Sequence, residues 1–147
     1  MKNKLKTKFL NHLLRNGNKK TCEGVLLKCF KNLQKSSNKS HKKIFKLAVI
    51  NSTPVFRLIV LKNKKTRKKN RKSKEIPKLI TKNSERISWS IKYILNFTKQ
   101  SFPTRLRAKL GQEIILNAQN KGNTTKKVLD HQKQSISNKR FLLHFRW

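Results

Sequence analysis

Residues 62–74 read KNKKTRKKNRKSK: nine of the thirteen are Lys or Arg, and none is acidic or apolar. A run with nothing apolar to bury cannot fold on itself. It is flanked by two β-capable segments, VFRLIVL at 55–61 and EIPKLI at 75–80, whose β-branched and aromatic residues suit a pleated surface. Together the three stretches predict one long β-hairpin over residues 54–81 with a cationic finger at its tip. The remainder of the chain shows helical spacing. The expected fold is therefore mainly α: a bundle of about six helices, in residues 1–53 and 84–147, with the hairpin protruding between the third and fourth.

Composition narrows the partner before any motif does. Against 39 Lys plus Arg there are only 5 Asp plus Glu, a formal charge of +34 on 147 residues, far past the magnitude of about 2–8 that keeps a small domain soluble. A free chain so charged repels itself. Neutralising phosphates instead releases condensed counterions and gives strong, salt-sensitive binding. Nucleic acid is the leading partner and an anionic membrane surface the second. The membrane reading is disfavoured because no apolar stretch approaches the roughly 18 residues of a spanning helix, and the cations are spread over the chain instead of lining one helix face. Disorder is the plain alternative for such charge. Against it stands 35% hydrophobic content at helical spacing, enough to close one modest core, so a single domain over 1–147 is expected.

In chain order, Leu5, Phe9, Leu10, Leu13 and Leu14 form a first helix that stops at Asn16-Gly17-Asn18, a C-cap turn. Thr21 is read as the cap of the next helix, in which Cys22, Val25, Leu26, Cys29, Phe30 and Leu33 recur at i, i+3, i+4, i+7, i+8 and i+11, the clearest amphipathic stripe in the protein. Cys22 and Cys29 share one face but stand about 10 Å apart along the axis, too far for a disulfide, and read as reduced core residues. After the polar loop 36–40, Ile44, Phe45, Leu47, Ala48 and Val49 form a third helix that must end before Pro54. Pro77 cannot donate to a ladder, so its strand is expected to turn that position to an edge.

Beyond the hairpin, Ile87, Ile91, Ile94 and Leu95 make one stripe and Trp89, Tyr93 and Phe97 a neighbouring one. The fourth helix is thus apolar over a wide arc and expected to be central. Residues 101–103 start a fifth helix carrying Leu106, Leu110, Ile114 and Ala118, closed by Asn120-Lys121-Gly122. Thr124 or Thr125 caps the last helix, with Val128, Leu129, Gln132, Ile136 and Phe141 along it. No charged segment followed by an apolar core opens the chain, so secretion is not expected, and no organellar presequence stands out.

Enzymatic chemistry has little to work with. Glu23, Glu75, Glu85, Glu113 and Asp130 are scattered with no pair spaced to clamp two metals. His12, His41, His131 and His144 with the two cysteines show no zinc-ligand spacing, and no Gly-rich phosphate loop appears. No enzyme activity, metal, cofactor or small-molecule substrate is expected.

The order of helices around one basic hairpin, together with several short motifs, resembles the family of small ribosomal subunit protein seven, of bacterial and organellar type. Phe9-Leu10-Asn11 through Gly17 to Lys19-Lys20 is similar to the family's opening, Phe, Asn and Leu followed by Gly-Lys-Lys. Glu75-Ile76-Pro77 resembles its second hairpin strand. Lys92-Tyr93-Ile94-Leu95 falls where the family has Arg-Trp-Ile-Val, and Leu110-Gly111-Gln112-Glu113-Ile114 where it has Leu-Ala-Asn-Glu-Leu. Asn120-Lys121-Gly122, Lys126-Lys127, Asp130 and Asn138-Lys139 keep register, and His144-Phe145-Arg146-Trp147 resembles the terminal His-Tyr-Arg-Trp. The chain departs from the pattern in a longer hairpin without the Gly-Gly tip, an extra residue after Phe141, and a largely missing basic N-terminal tail.

The resemblance implies a non-catalytic RNA binder that organises the 3′ domain of small-subunit ribosomal RNA into the head. It would lie near the exit-site transfer RNA and messenger path and touch neighbouring head and platform proteins. The Lys and Asn bias and the divergence favour a mitochondrial ribosome, with plastid and bacterial cytoplasm as alternatives. Phosphate contacts fix position without reading sequence, and folded RNA is recognised mainly by shape, sugar and backbone. The candidate RNA-binding residues are the finger cations Lys62, Lys64, Lys65, Arg67, Lys68, Lys69, Arg71, Lys72 and Lys74, then Lys19 and Lys20 at the turn into the second helix. Lys78, Lys82 and Arg86 follow between hairpin and fourth helix, with Arg107, Lys126, Lys127, Arg146 and Trp147 beyond. Each has a bland reading as solvated charge, and Lys/Arg runs also serve as localisation signals. Trp89, Tyr93 and Phe97 could stack on bases, but an aromatic stripe at helical spacing is more often core. The alternative function is a general basic protein that compacts nucleic acid.

Overall fold

A computed structural model describes residues 4–14, 16–37, 40–61, 74–100 and 106–138. Among these, six helices and one antiparallel hairpin follow in the order α1 (Lys4–Leu13), α2 (Lys19–Ser36), α3 (His41–Asn51), β1 (Phe56–Leu61), β2 (Lys74–Leu79), α4 (Asn83–Gln100), α5 (Leu106–Ala118) and α6 (Asn123–Ser137). The expected class and the hairpin's place between the third and fourth helices are both found. Eight finger cations, all but Lys74, lie outside the described residues, as do Arg146, Trp147, Phe141 and the expected start of the fifth helix at 101–103.

The corner between α1 and α2 turns through Asn16 at φ 49° and Gly17 at φ 74°, the left-handed region that Asn tolerates and Gly enters without strain. That turn is tight enough for α2 to begin at Lys19. Thr21 is therefore not its cap, as expected, but sits inside the first turn with its hydroxyl donating to the Asn18 carbonyl at 2.7 Å. Downstream, the stripe of α2 is buried as read: Leu26, Cys29 and Leu33 meet Phe9, Leu10 and Leu13 of α1, Ile44, Phe45, Ala48 and Val49 of α3, Ile91, Ile94 and Leu95 of α4, and Leu110 and Ile114 of α5. Phe45 stands edge-to-face with Phe9 (centroids 5.2 Å, 75°) and with Phe30 (5.3 Å, 72°). Both cysteines are free thiols, and burial pushes Cys29 up to about 11.

The central place expected of α4 from its wide apolar arc agrees with its packing against α1, α3, α5 and α6, and α5 shares that place, touching α2, α3, α4 and α6. The inward face of α5 includes Gly111, Glu113 and Asn117 beside Leu110 and Ile114, and small or polar residues at packed positions hide a central helix from a hydrophobic count. Glu113 has a specific task. Its Oε1 accepts hydrogen bonds from the Thr124 backbone N–H at 2.9 Å and hydroxyl at 2.7 Å, so the start of α6 is capped from α5. Gly122 occupies the N-cap position without a side-chain bond, which corrects the assignment of Thr124 or Thr125 as caps; both lie inside the first turn.

That anchoring selects the inward face of α6. Thr124, Thr125, Val128 and Ser135 are buried, while Leu129 and Ile136, expected on the apolar stripe, are exposed. At Gly122 an added Cβ would run into the Asn117 side chain, which is itself fully buried. Gly122→Ala is expected to lower stability by about 1–3 kcal/mol, the usual cost of overpacking, read as a lower urea midpoint at unchanged slope.

The hairpin pairs Phe56 with Leu79 through Leu61 with Lys74, and the Ile80 N–H donates to the Val55 carbonyl at 3.0 Å. Alternation from that bonded pair puts Leu58 opposite Pro77 at a non-hydrogen-bonded site, so the proline's missing donor breaks no ladder bond. The edge expectation holds for the backbone. The ring, however, is fully buried, because the root of the hairpin is packed on the body with β1 against α6.

Candidate nucleic-acid interface

Residues four apart on a helix stack on one face, and Trp89, Tyr93 and Phe97 do so on the side of α4 next to its core stripe. Tyr93 is buried, as the core reading expects, but Trp89 and Phe97 are only half-buried. Cations from three elements lie over these rings. The Arg57 guanidinium of β1 is 4.9 Å from the Trp89 centroid and Lys92 Nζ of α4 is 4.8 Å from it. Lys127 Nζ of α6 is 5.8 Å from Tyr93 and 5.4 Å from Phe97. Each such contact is worth about 0.5–1 kcal/mol at a partly exposed site. The ring quadrupole thus draws three positive heads into one row. The cations of this candidate interface are thereby positioned before any anion arrives.

The root of the hairpin extends this row. Arg57 is the cross-strand partner of Lys78, and both line a shallow cavity of about 240 Å³ with Lys82 and Glu85. Arg86 is committed differently: its Nε donates to the Ile80 carbonyl at 2.7 Å, tying α4 to the hairpin. Lys19 and Lys20 are exposed in the first turn of α2, where the helix dipole is positive and adds to their pull on an anion. Lys126 is exposed on α6. Arg107 lies elsewhere, in a cleft of about 360 Å³ with Lys28, Lys31 and Lys35 of α2.

Of the sequence candidates, Lys78 and Lys82 are brought together, Lys127 joins the aromatic row, and Arg107 does not share either group's lining. Lys74 ends the ladder opposite Leu61. Sequence reasoning missed Arg57 and Lys92. Lys92 had a usable signal, standing three residues after Trp89 as a helical neighbour. Arg57 had none, since only the packing of strand on helix carries it to Trp89. The face formed by Lys28, Lys31 and Lys35 was visible at i, i+3 and i+7.

Two histidines report the local field. Burial first, and then Lys127, lowers the pKa of His131, whose ring meets Tyr93 edge-on at 5.6 Å; Glu75 and Asp130 oppose the shift. Burial, then Lys92 and Lys8, lowers His12. With folded values below the ordinary 6.5, the unfolded chain binds more protons, so this contribution is complete above about pH 6.5 and is lost as pH falls towards the folded values. The urea midpoint is expected to drop between about pH 7.5 and 5.5, and His131→Phe to flatten part of that dependence.

Among the described residues no group of three His, Cys, Asp or Glu side chains could hold a metal ion, and no helix is long and apolar enough to cross a membrane. Comparison with known proteins points one way. The family model for ribosomal protein S7p/S5e matches residues 1–139. Small ribosomal subunit protein uS7 of Myxococcus xanthus is 31% identical over 144 residues, covering 98% of this chain and 87% of that protein. The protein of the same name from Syntrophus aciditrophicus is 31% identical over 146 residues (99% and 88%), and that from Mycoplasma mobile 28% over 141 (96% and 85%).

Proposed function

The chain belongs to the ribosomal protein S7p/S5e family, and from that premise we propose that it is a structural constituent of the small ribosomal subunit, one domain over residues 1–147 that binds ribosomal RNA. Its relatives are ribosomal proteins, not enzymes. The observation that carries the RNA reading is the row formed by Arg57, Lys92 and Lys127 over Trp89, Tyr93 and Phe97, continued by Lys78 and Lys82 to the root of the basic hairpin. Backbone phosphates lie against these cations, and the cations of the run 62–74 contact further phosphates. Lys19, Lys20, Lys126, Arg107, Arg146 and Trp147 are further contacts. The site is the 3′ domain of the small-subunit RNA in the head, near the exit-site transfer RNA and the messenger path, beside other head and platform proteins.

Each phosphate contact contributes about 0.7–0.9 to the slope of log affinity against log salt. The double variant Arg57→Gln, Lys127→Gln is therefore expected to lower that slope by roughly 1.4–1.8 units; an unchanged slope removes these two side chains from the phosphate backbone. The ribosome is mitochondrial in this reading, supported by the Lys, Asn and Ile bias, while the relatives above come from bacteria. Sedimentation of the tagged chain with small subunits tests the assignment: comigration with mitochondrial small subunits is expected. Comigration only with plastid or bacterial subunits overturns the organelle, and absence from every small subunit overturns the function.

A further inference from the structure

Away from the cationic row, α1, α2, α3 and the start of α4 enclose an apolar groove of about 650 Å³. Leu5, Leu27, Phe30, Val49 and Ile50 form its walls, and Lys6, Lys42 and Lys46 stand along it, with no acidic residue in the lining. Leu27 is 49% exposed and Ile50 56%. We propose that this groove docks a segment of another protein whose apolar anchors are flanked by Asp or Glu. The apolar walls take side chains spaced three or four apart, the helix-in-groove mode of recognition. The cationic edge fixes which sequences enter and in what orientation.

RNA fits this surface poorly. The rings of Phe30 and Phe45 are engaged with one another and with His41 and Phe9, leaving them ill placed to stack on bases. Leu27, Val49 and Ile50 offer no donor or acceptor to a base edge. The terminal segment 139–147 of this chain has the apolar residues Phe141, Leu142 and Leu143 but carries Lys139, Arg140 and Arg146 and no acid, the wrong charge for a lysine-lined edge. This docking surface goes beyond the ribosomal reading and is tested apart from it.

Selection of displayed random peptides on the immobilised full chain is expected to enrich sequences with apolar residues three or four apart and acidic flanks. A synthetic copy of a selected peptide should bind about tenfold more weakly to Leu27→Ser and Ile50→Ser, the loss of one buried anchor each. Both positions are exposed, so the variants should fold, and their RNA affinity should stay at the level of the parent. Enrichment of peptides without acidic flanks, or binding indifferent to both substitutions, overturns the proposal. Displacement of the peptide by RNA assigns the groove to nucleic acid. Peptide binding that appears only after removal of residues 139–147 assigns it to that segment. A parent chain that binds the peptide but no ribosomal RNA counts against the ribosomal reading alone, whereas loss of RNA affinity in Leu27→Ser or Ile50→Ser overturns the docking proposal.

Discussion

Replacing the nine Lys and Arg residues of 62–74 with Ser is expected to lower the salt slope of RNA binding by several units and to weaken binding at about 50–200 mM salt by roughly three orders of magnitude or more. The arithmetic rests on counterion release: a cation on a phosphate contributes about 0.7–0.9 to the slope, so five of the nine in contact already remove about four units. Folding should be unaffected, since the run holds no apolar residue and the hairpin root is held by the body through α6 and by Arg86 on the Ile80 carbonyl. Circular dichroism and urea unfolding of the variant check that half of the statement. Titrations at a series of salt concentrations check the other. An unchanged slope means that the finger does not lie on phosphate.

The second large effect concerns the body. Phe9 is fully buried and stands edge-to-face with Phe45, which in turn meets Phe30. Phe9→Ala leaves a cavity where α1 meets the other helices and removes an aromatic contact, at a cost of about 3–5 kcal/mol. That is a large share of the roughly 5–15 kcal/mol that holds a domain together. Like charges spread over the surface work against compactness as well. The thermal midpoint should fall by about 6–20 °C, given roughly 2–4 °C per kcal/mol at this size. Phe9→Leu should recover much of it, and a variant as stable as the parent would mean that α1 does not contribute to the core.

Periodicity made most of the fold readable, because helices that bury one face show it in the spacing. Leu26, Cys29 and Leu33 went to the core as read, and α3 ends at Asn51, short of Pro54. What was not readable depends on partners distant in sequence. The cap of α6 comes from Glu113, eleven residues before Thr124, and that contact turns Leu129 and Ile136 outward against their hydrophobicity. That α5 packs on as many helices as α4 was hidden by Gly111, Glu113 and Asn117 on its buried side. In the candidate interface, Lys78, Lys82 and Lys127 could be proposed from charge and position. Arg57 needed the folded position of β1, packed on α6, to bring it over Trp89.

The aromatic stripe was weighed as core against base-stacking surface, and it is partly each. Tyr93 is buried, while Trp89 and Phe97 remain accessible enough to carry cations. Periodicity alone distinguishes an inward from an outward face. It does not show that a half-buried ring can order positive charge along the helix.

The central claim is recognition of one folded RNA rather than attraction to any polyanion, and both predict tight, salt-sensitive binding at low ionic strength. The measurement that separates them compares affinity for head-domain RNA of the small subunit with affinity for unrelated duplex DNA of equal length at physiological salt. The head-domain RNA is expected to bind at least about a thousandfold more tightly, the lower end of the usual ratio of specific to non-specific binding. Equal affinities would contradict the claim and leave a general nucleic-acid compacting protein in its place.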